Sequence, residues 1–163
     1  MDTKNQLDTI FASDMRFLMI LSYIVLGNTA VINRFIEHTH RLPVHAWSTL
    51  YCIDQFPGIR AKEITQLFPR PQNTISRAVS QLVERGLVRH QPSQTDGREK
   101  QLFTTDQGAV LLAELRAAIV ERQDEMFAPL EDDERDVFFR LALKIAKGSK
   151  LLETVAMSLP ETQ

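Results

Sequence analysis

The spacing of hydrophobic and polar residues along the chain predicts a mainly helical protein. A long first helix is predicted over 13–38, where an apolar run follows Ser13 and Asp14, two residues suited to capping a helix. A proline then breaks the pattern. A second helix is predicted over 44–55, and it stops before Pro57 and the glycine that follows.

Two shorter helices, separated by a tight turn, are predicted next. The first covers 60–67, and two nearby prolines prevent it from continuing. Pro71 suits the first turn of the following helix, predicted over 71–85 and ended by Gly86. Helical spacing gives this last helix two faces. The inward face is apolar, with Ile75, Val79, Leu82 and Val83, and the outward face is polar, with Asn73, Arg77, Ser80 and Glu84.

A β-hairpin is predicted after these helices. Two short strands, 87–91 and 101–105, flank an Asp96-Gly97 pair, which favours a two-residue hairpin turn. Thr105 then caps a helix predicted over 106–127, and a last helix is predicted over 131–147. The resulting order of elements indicates a mainly α chain with a small β-hairpin wing (α+β), a winged helix-turn-helix.

Length, charge and cysteine content narrow the class of protein. A chain of 163 residues fits one domain. The net charge is −2, yet residues 60–100 carry eight Lys/Arg against four Asp/Glu, so this segment is +4 inside an acidic remainder of −6. The apolar run that begins at Met15 is interrupted by Arg16 and Ser22, and we expect a buried helix there instead of a membrane span or signal peptide. A single cysteine fits a reducing, cytoplasmic compartment.

The basic segment has the chemistry of a double-stranded-DNA reader. A helix fits the major groove, where amide and guanidinium groups pair with base edges and hydroxyls reach bases or phosphates. Arg98 at the hairpin tip is suited to the minor groove, with Asp96 orienting its guanidinium and Lys100 contacting phosphate. The residues predicted to approach the major groove are Gln72, Asn73, Thr74, Ser76, Arg77 and Ser80. Winged helices also bind proteins, so a protein-protein interaction module stays an alternative.

Three stretches of this segment resemble the MarR (multiple antibiotic resistance regulator) family of bacterial transcription factors. AKEITQLF (61–68) is similar to the helix that precedes recognition, and NTISRAVSQLVERGLV (73–88) is similar to the recognition helix. TDGREKQLFTTDQG (95–108) resembles the Asp-x-Arg wing signature followed by Leu-Thr-x-x-Gly. The sequence departs from the family in having Gly97 where an arginine is common and Thr104 where leucine is common.

The resemblance implies one MarR-like domain over 1–163 that forms a homodimer on a pseudo-palindromic operator. The DNA-binding part would cover about 42–105, and helices in about 1–41 and 106–163 would form the dimerisation layer. It further implies a repressor whose DNA affinity is modulated by a small aromatic effector. His45, Trp47 and Tyr51 lie where relatives bind such ligands, and an activator of the same fold stays an alternative.

Other chemistry-bearing residues indicate neither an enzyme nor a cofactor. His38, His40 and His45 have a spacing that matches no standard metal site, so surface or capping roles are expected and no metal is predicted. Cys52 lies among apolar residues with no neighbouring cation, which favours a buried, inert thiol. No phosphate loop, nucleophile elbow or distinctive carboxylate pair is present in the sequence.

Overall fold

The computed structural model of the chain describes residues 2–68, 70–92, 100–148 and 151. It begins with two helices, α1 (Thr3–Phe11) and α2 (Arg16–His40), where one helix over 13–38 was predicted. The predicted cap is wrong. The Ser13 hydroxyl donates to the carbonyl of Ile10, 2.8 Å away, and so ends α1 instead of starting α2. Both roles suit a serine, and the choice depends on where the preceding helix stops.

Helix α2 is the most apolar element of the chain. By length and composition alone it could cross a membrane, a test that core helices of soluble proteins also pass. The buried helix expected at this apolar run is not found within one chain, because almost none of the stretch is buried apart from Ile36 near its end. Arg41 ends the helix in the left-handed region, with φ 51° and ψ 34°, and Leu42 after it is fully buried.

The helix-turn-helix follows as predicted. Helix α3 (Val44–Gln55) leads through a turn to α4 (Ala61–Leu67) and then to α5 (Gln72–Glu84). Pro71 lies one residue before α5, where its carbonyl accepts the first two helical N–H bonds, from Thr74 and Ile75. Helix α5 packs against α3 and α4 with its apolar face.

Two antiparallel strands form the described part of the wing. Strand β1 (Val88–Pro92) pairs with β2 (Lys100–Thr104) in the register Val88↔Thr104 to Pro92↔Lys100. The predicted turn at Asp96-Gly97 lies outside the described residues. Backbone bonds from Gly58 N to Leu102 O (2.8 Å) and from Leu102 N to Ile59 O (3.1 Å) attach β2 to the turn after α3. The wing is therefore anchored to the helix-turn-helix at its root.

The last two elements are α6 (Asp106–Phe127) and α7 (Asp132–Ala146), close to the predicted bounds. The chain divides into two compact units, Met1–Arg122 and Gln123–Gln163. The predicted subdivision at residues 41–42 and 105–106 stays a prediction. In the second unit, Arg135 donates from Nε to the carbonyls of Phe127 and Leu130 and so fixes the turn into α7. The main hydrophobic core lies in the first unit and includes Leu50, Ile53, Ile64, Ile75, Leu82, Leu102 and Leu115.

Candidate nucleic-acid interface

Helix α5 has the two faces that its sequence predicted. Its apolar side is buried, and Ala78 joins Ile75, Val79 and Leu82 there, while Val83 is half-buried. Burial of this stripe against α3 and α4 orients the helix, so the opposite face is open to solvent. The predicted DNA-reading residues Gln72, Asn73, Ser76, Arg77 and Ser80 are exposed, and Thr74 is half-buried.

The exposed face of α5 carries one cation. Among the described residues, Arg77 has no ion pair or hydrogen bond that would occupy its guanidinium. Its five N–H donors therefore face solvent, as a contact to a base edge or a phosphate requires. Glu63, the acidic residue of the preceding helix α4, pairs with Arg60 and not with Arg77. Glu63 accepts from Arg60 N at 2.9 Å and from Arg60 Nη2 at 2.6 Å, and these bonds lower the pKa of its carboxyl to about 2.

The root of the wing contributes a basic side chain that the sequence reasoning missed. Arg89 lies directly across from Phe103 in the strand register, and its guanidinium carbon is 4.8 Å from the centre of the Phe103 ring. A cation over an aromatic face loses conformational freedom while its N–H groups stay available at the ring edge. No sequence signal marked this pair, because a two-residue turn at Asp96-Gly97 would place Arg89 across from Thr104 instead of Phe103.

Lys100 is exposed at the start of β2, as a phosphate contact requires. Partial burial, together with the charge of Lys100, lowers the pKa of His90 on the facing strand. Asp96 and Arg98, the predicted tip residues, lie outside the described residues.

The junction between α5 and α6 gives a physical reason for the threonine and the glycine of the Thr-x-x-Gly stretch, Thr105 and Gly108. The Thr105 hydroxyl donates to Gly86 O at 2.6 Å and accepts from Gly108 N at 3.1 Å, while Thr105 N donates to Leu87 O at 3.1 Å. A Cβ on Gly108 would lie 2.1 Å from Leu87 O. Threonine caps α6, and glycine lets the helix approach the backbone that leaves α5.

A cavity of about 350 Å³ lies between α3 and α6 in the first unit. Trp47 and Tyr51, two of the three predicted ligand residues, line it together with Phe68 and Arg116. His45 is not among the lining residues; burial and the nearby charge of Arg70 lower its pKa. The cavity is largely apolar with one cation at its wall, a combination that suits a flat ligand carrying a negative charge.

Two further predictions from the sequence concern a cysteine and a group of histidines that could have sensed oxidants or metals. Cys52 is 2% exposed, as predicted, and burial raises the pKa of its thiol. Within the part of the chain that the structure describes, no three His, Cys, Asp or Glu side chains are arranged to hold a metal ion. His40 instead packs edge-on against the ring of Phe35, with the ring centres 6.0 Å apart.

Comparison with known proteins agrees with this geometry. The model of the MarR family matches residues 42–99, which include α3, α4, α5 and the first strand of the wing, β1. This segment is a MarR-family winged helix-turn-helix. The resemblance stated from the sequence is confirmed.

The MarR-type fold extends well beyond the matched residues. An uncharacterized HTH-type transcriptional regulator of Bacillus subtilis, YwoH, is 26% identical over 95 residues, which are 58% of this chain and 69% of that protein. The crystal structure of MarR superposes with a TM-score of 0.73 at 24% identity over 82% of this chain and 90% of MarR.

A MarR-family regulator from Listeria monocytogenes, solved with a 26mer DNA, gives a TM-score of 0.73 at 18% identity over 79% of this chain and 85% of that protein. The fold of this chain is that of MarR-family transcriptional regulators.

Proposed function

We propose that this protein is a cytoplasmic homodimeric repressor that binds a pseudo-palindromic DNA operator and is modulated by a small aromatic effector. The exposed polar face of α5, with the unoccupied guanidinium of Arg77 at its centre, is the observation that carries this proposal. The remaining contacts would come from Arg98 in the minor groove, with Asp96 and Lys100 supporting it. The same assignment makes the protein a binding protein and not an enzyme.

Exposed apolar side chains support a homodimer. On α2, Phe17, Leu18 and Leu26 are each about 70% exposed, which is costly for a helix this apolar in water. In the second unit, Phe139 on α7 is 66% exposed. A second copy would cover these faces, and the molecular mass in solution would then be twice the 18.6 kDa of one chain. Light scattering after gel filtration measures that mass, and Leu18→Glu is expected to shift it toward the monomer.

The cavity between α3 and α6 supports an aromatic effector. Trp47 and Tyr51 supply ring faces for stacking, and Arg116 supplies a guanidinium that pairs with a carboxylate or phenolate. Because α3 packs directly on α5, a ligand that moves α3 would move the recognition helix. Fluorescence of Trp47, the only tryptophan, reports binding. Benzoate derivatives are the probes, and Arg116→Gln is the matched variant, for which weaker binding is expected.

A titration with selected DNA tests the central claim. Duplexes are selected from a random library with the full chain, and binding is measured by fluorescence anisotropy against an unrelated duplex of equal length. A protein that makes several phosphate contacts loses about a thousandfold in affinity or more between about 50 and 200 mM salt. Weak binding without sequence preference or salt dependence would favour the alternative, a protein-protein module. An activator would bind DNA equally well, and transcription from a reporter separates it from a repressor.

Arg77 is the most informative residue to change. Arg77→Ala should cost about 1–3 kcal/mol for the selected duplex if the guanidinium reads a base bidentately. Arg77→Lys is the matched control, because it keeps the charge and loses the planar fork. Near-complete recovery by lysine, with an equal loss for both duplexes in the alanine variant, would make Arg77 a phosphate contact.

A further inference from the structure

Arg85 joins the end of the recognition helix to the end of α2. It is the residue directly after α5, and its guanidinium makes two hydrogen bonds to backbone separated by more than forty residues. Nη2 donates to His40 O at 2.9 Å, and Nη1 donates to Arg41 O at 3.1 Å. One side chain therefore holds two successive carbonyls of another helix terminus.

These carbonyls are a suitable place for a cation to attach. The last carbonyls of a helix lack partners within the helix and carry the negative end of its dipole. Arg41 ends α2 in the left-handed region, which turns its carbonyl out of the helical ladder and beside that of His40. A planar guanidinium can bond both oxygens at once, whereas a lysine ammonium is a single point donor on a flexible stem.

The attachment connects two elements with different tasks in the proposed function. Helix α2 carries the exposed apolar face expected to pair with a second copy, and α5 carries the DNA-reading face. Helix α5 packs chiefly against α3 and α4, and α2 packs against α3. The two hydrogen bonds of Arg85 add a direct connection between α5 and α2 that does not involve α3.

We infer that Arg85 is a positioning residue that sets the separation of the two recognition helices in the dimer. This inference rests on the proposed function, because it requires two copies on one duplex. With each α5 fixed to its α2, and the α2 helices fixed to each other, the half-site spacing of the operator is defined. Without these two hydrogen bonds, each winged helix can pivot at the chain turn around residue 41. It can then reach half-sites at other spacings.

Operators of altered spacing test this role. One or two base pairs are added or removed at the centre of the selected duplex, and affinity is measured for the wild type, Arg85→Lys and Arg85→Gln. Each added base pair moves one half-site by about 3.4 Å and rotates it by about 34°. We expect the wild type to lose about tenfold or more per base pair, and both variants to lose about threefold or less, because a pivoting winged helix absorbs the shift.

A matched control and a salt titration separate positioning from simpler roles. Arg70→Lys is the same substitution at another exposed arginine of the winged helix, and it should keep the wild-type spacing preference. If Arg85 bound a phosphate instead, Arg85→Gln would lower affinity equally at every spacing and reduce the salt slope by about one. Thermal unfolding of each variant checks that the fold is retained.

The outcomes distinguish the inference from the function on which it rests. A wild-type protein without any spacing preference would remove the dimeric operator model itself. A wild-type preference that Arg85→Lys and Arg85→Gln both retain would overturn the positioning role and leave the proposed function standing. A uniform decrease in affinity with a reduced salt slope would overturn it as well. Relaxed spacing in both variants, with Arg70→Lys unchanged, would establish it.

Discussion

Substituting Gly108 by alanine places a methyl group where the backbone leaves no room. Its Cβ would lie 2.1 Å from Leu87 O, 3.0 Å from Leu87 C and 2.9 Å from Thr104 Cγ2. Two of these atoms belong to backbone, so no side-chain rotation can relieve the overlap. Either the start of α6 or the segment after Gly86 must move.

The cost follows from the bonds that such a movement breaks. Overpacking costs about 1–3 kcal/mol, and breaking the Thr105 N to Leu87 O bond costs about 1 kcal/mol more. Weakening the Thr105 cap costs about another 1 kcal/mol. Alanine regains about 1 kcal/mol of helix propensity over glycine. We therefore expect Gly108→Ala to lower the free energy of unfolding by about 2–4 kcal/mol and the Tm by roughly 5–15 °C.

Urea and thermal unfolding followed by far-UV circular dichroism measure this destabilisation, at one protein concentration because the proposed dimer would unfold in a concentration-dependent way. Gly27→Ala is the matched control. It makes the same change inside α2, where no atom other than those of the adjacent residues and the surrounding helix backbone lies within 4 Å of the added Cβ, and it should stabilise by about 0.5–1 kcal/mol. If the free energy of unfolding of Gly108→Ala lies within about 0.5 kcal/mol of the wild-type value, the close approach of α6 to Leu87 is not rigid and the predicted overlap does not occur.

Two more changes test the electrostatics of the winged helix. Arg89→Ala should weaken binding to all duplexes alike and reduce the dependence of log affinity on log salt concentration by about one, and Arg89→Lys should largely restore both. An unchanged salt dependence in anisotropy titrations would exclude a phosphate contact. Glu63→Gln should cost about 0.5 kcal/mol of stability at neutral pH, a small value because the pair is exposed. Because the pKa of Glu63 is lowered from 4.5 to about 2 in the fold, the advantage of the wild type is full above pH 4.5 and disappears as the pH falls toward 2. A difference in urea midpoints that stays constant over that range would contradict the Arg60–Glu63 pairing.

The sequence predicted the features that depend on neighbouring residues. Pro71 and Gly86 limit α5 because one lacks an N–H and the other tolerates positive φ, here 70°. The inward stripe of Ile75, Val79 and Leu82 follows from helical spacing alone, and the core confirms it. A short motif bounded in this way by a proline and a glycine was enough to indicate the winged helix and its family.

The local sequence pattern gave a wrong helix boundary where one residue could serve as the end of one helix or the start of the next. Ser13 is as suited to ending α1 as to starting α2, and only the position of α1 decides between them. Periodicity gave no sign of α1 as a separate helix. Its place depends on packing, with the Phe11 ring edge-on to Tyr23 at 5.5 Å.

From α3 onward, the sequence by itself determined the order of the elements, their ends to within one residue and the polar face of α5, because these follow from backbone preferences and spacing within a few residues. Only the tertiary structure decided which distant groups meet: Arg85 with the end of α2, Arg89 with Phe103, and Gly108 with Leu87 O. Such contacts depend on how burial of the apolar faces orients whole helices and strands, and no local pattern encodes that orientation.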